Sequence, residues 1–584
     1  MGFIKPTLPT VDPETWPAMD RLARIRALAP FWVENGFGTQ RAVHLLYAVK
    51  CVVYAAGAIA VASWTTPGLG GFTEIGQWWT EPVFFQKAVV YTVLFEILGL
   101  GCGSGPLTLR INPPIGGVLY WLRPGTVRLP PFPAWVPLTK GTRRGVADVL
   151  LYIAVLVAGA WILAAPASAP GLAGHIGVIP PERVIPLLVV LPLLGLRDKT
   201  IFLAARSEHY LLTAALFLFP VVPMLAAAQL VMLLLWWGAA TSKLNRHFPF
   251  VVSIMISNAP LHMSKWLRRR LYRHFPDDLR PGRLASLLAH GGTVIEYSVP
   301  VVMVFSPYRP LTLLAVAVMV IFHLHILSTF PMGVPMEWNV FMIFSTLFLF
   351  GAHGDLGPTD VTSPWLVALL AATAAVVVIG NLYPDKVSFL LAMRYYAGNW
   401  ATSVWLFRRG AENKLDTHIK KVAPAVRSQL ATMYGPDDAD IVMNLGNAWR
   451  AMHHHGRALN GLMPRAIQED LSAYEVVEGE MVAGIVLGWN FGDGHLHDEQ
   501  LLAAIQERCG YAEGDVRVVM LESQPIHRPW QHYRIVDAAT GVVEEGHVLV
   551  SDMVTRQPWL DGEPTIPVTV LSKPTAVAPV LETP

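Results

Sequence analysis

From residue 42 to residue 384, long apolar runs alternate with shorter polar stretches, and after residue 410 the pattern changes to that of a soluble chain. Apolar runs of about 17 to 25 residues suffice to cross a bilayer as helices. The pattern predicts about ten transmembrane helices, near 42–64, 83–103, 145–165, 183–197, 208–222, 225–242, 285–306, 310–329, 336–352 and 364–384. Pro220 and Pro223 favour a hairpin over one long helix in the 210–240 stretch. The expected fold class is an all-α polytopic membrane domain followed by a smaller α+β soluble domain. The boundaries read as 1–41 for an N-terminal segment, 42–384 for the membrane domain, 385–410 for an interfacial amphipathic segment and 411–584 for the soluble domain.

The soluble part reads as helical over 415–472. Strands are expected at 515–522, 531–537 and 542–551, with Ala538-Ala539-Thr540-Gly541 as a hairpin turn. Two pieces read as lying in the membrane plane: 111–135, with Trp121 and Trp135, and 386–409, which mixes aromatics with Lys386, Arg394, Arg408 and Arg409.

Composition supports this division. Hydrophobic residues make up 53% of the chain and charged residues only 15%, well below the roughly 25% charged of a soluble domain. The first 41 residues hold Pro, Asp, Glu and Arg without an early apolar core, so no cleavable signal is expected and the first run serves as an anchor. Cys51, Cys102 and Cys509 form no CxxC pair. The basic clusters flank spans, which leaves no basis for nucleic-acid binding.

Loop charge then orients the helices. Residues 104–144 hold Arg110, Arg123, Arg128, Lys140, Arg143 and Arg144 without an acid, and 241–284 hold nine Lys or Arg against Asp277 and Asp278. Residues 65–82 and 353–363 are acidic, with Glu74, Glu81, Asp355 and Asp360. Basic loops stay cytoplasmic, so the pattern predicts a plasma (inner) membrane protein with both termini cytoplasmic.

That orientation gathers polar residues at one depth. Lys243, His290, His323, His325, Glu337 and Asn339 all fall in the cytoplasmic half of four consecutive helices, and the other intramembrane acids are Glu96 in the second helix and Glu296 in the seventh. Ionisable groups in a membrane are costly and usually face a cavity or one another. Each also has a plainer reading. Lys243 can snorkel from its helix end, and His290-Gly291-Gly292 can mark a close helix crossing. His323 and His325 point to opposite faces, so only one is expected in a given cavity. Glu337 and Asn339 can cap a helix. In the soluble domain, His453, His455, His495 and His497 are the candidate ligands if a metal binds. Adjacent histidines diverge around a helix, and a hydrogen-bonded cluster is the expected alternative. No Walker A, GxSxG, HExxH or dinucleotide fingerprint is present.

Three runs, WGAATSKLN from Trp237, LLAHGGTVIEYSVPVVMVFSPYRP and VIFHLHILSTFPMGVPMEWNVFMI, resemble in order and spacing the core of the horizontally transferred transmembrane domain, which includes the vitamin K-dependent γ-carboxylase. The whole chain also resembles an actinobacterial family of multi-pass proteins of unknown function, through NLYPDKVSFLLAMRYYAGNWATSVW. The carboxylase resemblance implies a quinone-type cofactor, with Lys243 as the base and His290 and His323 as its hydrogen-bonding partners. Glu296, His325, Glu337, Asn339 and Trp237 would line the same chamber. The sequence departs from the carboxylase in lacking a large exported β-rich domain, which argues against protein-glutamate carboxylation. The resulting expectation is a quinone- or lipid-dependent membrane enzyme in contact with membrane lipids. The alternatives are a lipid or solute transporter, or a scaffold recruiting partners through its C-terminal domain.

Overall fold

The computed structural model describes residues 3–101, 116–260, 264–329, 336–387, 398–467, 469–489, 499–560 and 565–573. An N-terminal helix α1 (Arg21–Asn35) precedes α2 (Arg41–Thr65), α3 (Pro82–Ile97), α4 (Val146–Leu163), α5 (Pro181–Arg197) and α6 (Ser207–Leu216). There follow α7 (Val221–Ser242), α8 (Phe248–Asn258), α9 (Arg283–Phe305), α10 (Arg309–Thr329), α11 (Met336–Thr346) and α12 (Pro364–Leu382). Each of the ten expected segments contains a helix. Six of them, α2, α4, α7, α9, α10 and α12, are long and apolar enough to cross a membrane. Helices α3, α5, α6 and α11 have 16, 17, 10 and 11 residues, and at about 1.5 Å per residue they are shorter than the roughly 30 Å of hydrocarbon. The count of ten spans is therefore not confirmed.

Burial explains how the short helices are held. Every residue of α3 except Tyr91 is buried, as expected of a helix whose apolar residues run round every face, and Gln86, Lys87, Thr92 and Glu96 are buried with them. The outer helices instead expose rows of large aliphatics, such as Leu45, Leu46, Val49, Val52 and Val53 on α2 and Leu313, Leu314 and Ile321 on α10. In water such surfaces would drive association; in a bilayer they face lipid.

The C-terminal region adds α13 (Pro436–Met452), α14 (His454–Ala466), α15 (Gly479–Leu487) and α16 (Gln500–Cys509). Its strands are β1 (Thr402–Arg408), β2 (Tyr474–Glu478), β3 (Val516–Leu521), β4 (Trp530–Asp537), β5 (Gly541–Leu549) and β6 (Val568–Ser572), in one antiparallel sheet of order β2-β1-β3-β4-β5-β6. Side chains alternate between its faces. Trp405, Phe407, Val516 and Val518 pack with residues of α15 and α16, while Val404, Leu406, Val519 and Leu521 pack with α14. The expected β3–β5 are present, and Gly541 adopts the left-handed φ of 85° at the hairpin turn.

One expectation is corrected here. Residues 402–408, read as the end of an in-plane amphipathic segment, form a strand one place in from the sheet's edge, and their aromatics are buried in its core. Residues 388–397 lie outside the described residues. In the other stretch expected in the membrane plane, Tyr120 and Trp121 instead join the two regions, donating to the backbone carbonyls of Val486 and, at 3.0 Å, Leu487. Residues 111–115 lie outside the described residues.

The loops sort by charge. The N-terminal segment, residues 116–144 and the stretch after Lys243 all pack on the C-terminal region. Trp16 donates to Asp440 at 3.0 Å, Val127 and Leu129 enter the sheet's core, and Leu279 donates to the Gln557 side chain at 2.9 Å. At the far ends of the helices the acidic loops meet: Glu81 pairs with His175 at 3.2 Å, and His353 contacts the Thr80 carbonyl at 2.9 Å. The basic segments thus share one end of the helices, and the acidic loops the other.

Candidate functional site

Helix α7 ends in Gly238-Ala239-Ala240-Thr241-Ser242, and Lys243 is its C-cap. At this level α7, α8, α9, α10 and the start of α11 enclose a cavity of about 500 Å³, within the roughly 300 to 1,000 Å³ of small-molecule sites. Its walls are largely Leu, Ile, Val, Phe and Met, and the polar groups reaching it include Lys243, Glu296, His323, His325 and Asn339. Leu287 of α9 and Ile321 of α10 line the cavity yet are 70% and 65% exposed. The cavity therefore opens sideways, between α9 and α10, onto the lipid-facing surface.

Lys243 and Glu296 form a short, buried ion pair. The Lys243 ammonium also lies 5.4 Å from the Phe248 ring centre and 5.9 Å from that of Phe322, positions in which aromatic faces attract a cation. In the same lining, Trp236 Nε1 lies 3.0 Å from His323 Nε2, and His323 Nδ1 lies 2.9 Å from Asn339 Oδ1. An indole N–H can only donate. His323 Nε2 is therefore the acceptor, its proton sits on Nδ1, and the ring is neutral and fixed between two partners.

For the glycines after His290 the structure does not favour the close helix crossing. A Cβ on Gly291 would meet nothing within 4 Å, and one on Gly292 would meet only Phe322 Cε2, at 3.6 Å. They are not a close helix crossing. They leave volume in the chamber.

Comparison with known sequences bears on the whole chain. The profile of DUF3556, a transmembrane protein of unknown function, matches residues 1–571. The chain belongs to this family. No curated protein and no solved structure gave a match. The match establishes a multi-pass membrane protein and carries no link to the carboxylase or to the horizontally transferred domain.

In this DUF3556 protein the structure unites some of the expected residues and separates others. Lys243, Glu296, His323, His325 and Asn339 line one chamber, with His325 at its exposed rim. His290 is exposed and outside the lining, whereas its neighbour Gly291, also exposed, lines the open side of the chamber. Trp237 also lies outside the lining and donates to the Tyr297 carbonyl at 3.1 Å. Glu337 points away from the chamber lined by its neighbours Trp338 and Asn339 and pairs with Lys50 of α2 at 3.3 Å. Sequence reading overlooked Trp236, Phe248 and Phe322. Their apolar character matches that of the surrounding core, so nothing in the pattern marked them.

His453 and His455 sit where α13 meets α14, buried among arginines. Arg450 donates to His455 Nε2 at 2.7 Å and to Glu478 at 2.7 Å, and His453 Nδ1 lies 3.0 Å from the Trp449 carbonyl. His247, in the loop just after Lys243, stacks on His454 with ring centres 3.9 Å apart. Burial pushes His247 and His453 down to about 3, and burial aided by neighbouring Arg and His holds His454 and His455 well below the usual histidine range. Among the described residues, no three His, Cys, Asp or Glu side chains converge to hold a metal. His495 and His497 lie outside the described residues.

Proposed function

We propose that this protein binds a membrane-soluble, lipidic ligand in the chamber between α7 and α10, and that Lys243 exchanges a proton with it. The observation that carries this reading is the buried Lys243–Glu296 pair on the wall of a largely apolar cavity open to the lipid-facing surface. Such a pair is expensive to keep in a membrane, and its placement at a cavity is the usual mark of function. If Lys243 passes its proton to Glu296, the resulting amine can act as a base, and the reverse transfer restores the ammonium. The fixed Trp236–His323–Asn339 chain offers a further rigid polar group in the same chamber. The resemblance to the carboxylase core adds a quinone-type ring as one such ligand. The basic segments that gather at one end with the C-terminal region support a plasma-membrane orientation with both termini cytoplasmic.

The test is lipid analysis of the full-length protein extracted in native-membrane discs. Wild type is expected to carry a specific lipid at near one copy per chain. Gly291→Leu, which fills open space, and Lys243→Ala are each expected to lose it while keeping the same elution volume. Equal retention by Gly291→Leu, Lys243→Ala and His323→Ala would remove the chamber as the binding site.

A further inference from the structure

We infer that the chamber selects a single-chain lipid with an uncharged, hydroxyl-bearing headgroup that enters sideways between α9 and α10. The inference rests on the chamber reading above and adds the class of ligand and its route.

Charge balance sets the headgroup. Lys243 and Glu296 cancel, and the donor–acceptor geometry at His323 makes that ring neutral. His325 sits at the exposed rim, so the enclosed part carries no net charge. A charged headgroup would have to leave water without a compensating charge, or displace one member of the pair and strand the other. Either is a large penalty in an apolar setting. A hydroxyl avoids both. Its oxygen accepts from the Lys243 ammonium while its O–H donates to the Glu296 carboxylate, so it can join the pair without breaking the balance.

The route follows from the exposed lining. Leu287 and Ile321 belong both to the cavity wall and to the outer surface, and the exposed Gly291, one turn along α9 from Leu287, adds no side chain to this mouth. A chain already in the bilayer reaches the pair through this gap without crossing water. The volume of about 500 Å³ is that of a small ligand, which suits one chain with a compact headgroup rather than a two-chain phospholipid.

The experiment is photolabelling of the full-length protein in nanodiscs with two probes of equal chain length, a long-chain alcohol and the matching alkyl phosphate. In wild type the alcohol is expected to label α7, α9 or α10 at the chamber, in preference to the phosphate by on the order of tenfold, about 1.4 kcal/mol. Gly291→Leu is expected to abolish that labelling. Glu296→Gln leaves Lys243 without its counter-charge and is expected to reverse the preference toward the phosphate. Equal or preferential labelling by the phosphate in wild type overturns the inference while leaving the chamber as a lipid site. Labelling of neither probe at the chamber overturns the chamber reading itself. Should Glu296→Gln fail to fold, the wild-type competition decides alone.

Discussion

Acidification from about pH 7 to about pH 5 is expected to loosen the joint between the membrane helices and the C-terminal domain. His247, His453, His454 and His455 are buried there together, and all four titrate below the usual histidine range, His247 and His453 at about 3. Arg450 and Arg457 face the cluster and oppose any added proton, while Glu478 and Glu480 are already engaged with Arg450. On unfolding, each histidine regains a value near 6.5. Between that value and the folded one the unfolded chain binds more protons, so stability is complete above about pH 6.5 and falls as pH drops. One histidine contributes about 1.4 kcal/mol per pH unit, and four give a ceiling of about 5.5 kcal/mol per unit. The measurement is the thermal midpoint of the detergent-solubilised protein against pH, with hydrogen exchange at 450–460. A midpoint flat from pH 7 to pH 5 would contradict the burial of these rings as neutral groups.

Replacing Asp198 by Ala is expected to destabilise the protein by about 3–5 kcal/mol. Asp198 and Arg144 pair at 2.6 Å with neither side chain exposed. Asp198 also accepts from the backbone of Leu129 and Thr200, and Arg144 donates to Thr126 and the Val127 carbonyl. The pair fixes the 126–144 segment, which carries Val127 and Leu129 into the sheet's core, onto the end of α5. Asp198→Ala leaves a buried guanidinium without a counter-charge. The double change Arg144→Met with Asp198→Leu should recover most of the loss, because a buried ion pair is worth little more than an apolar contact of similar size. Thermal unfolding of both variants checks this. An Asp198→Ala protein within about 1 kcal/mol of wild type would show the pair to be dispensable.

Much of the architecture was legible because membrane helices and alternating strands leave strong patterns. All ten expected segments are helical, and the loop charges anticipated which loops share an end. The errors have identifiable physical causes. Residues 402–408 are covered on both sheet faces, which removes the alternation that marks a half-buried strand and leaves a run like that of an amphipathic segment. Glu296 was recognised as intramembrane, yet its pairing with Lys243 spans 53 positions and depends on how two helices rotate against each other. His290 and Gly291 are neighbours about 100° apart on one helix, and only packing decides which faces the chamber. For the His453–His455 cluster the sequence left a hydrogen-bonded group as the expected alternative to a ligand set, and its partner Arg450 comes from the preceding helix.

The most direct test of the chamber is a density map of the protein in native-membrane discs, examined between Lys243, His323 and Gly291. The account predicts elongated non-protein density that fills the cavity, touches the Lys243–Glu296 pair and extends through the gap between Leu287 and Ile321. A cavity that is collapsed, or that holds only water, would contradict it.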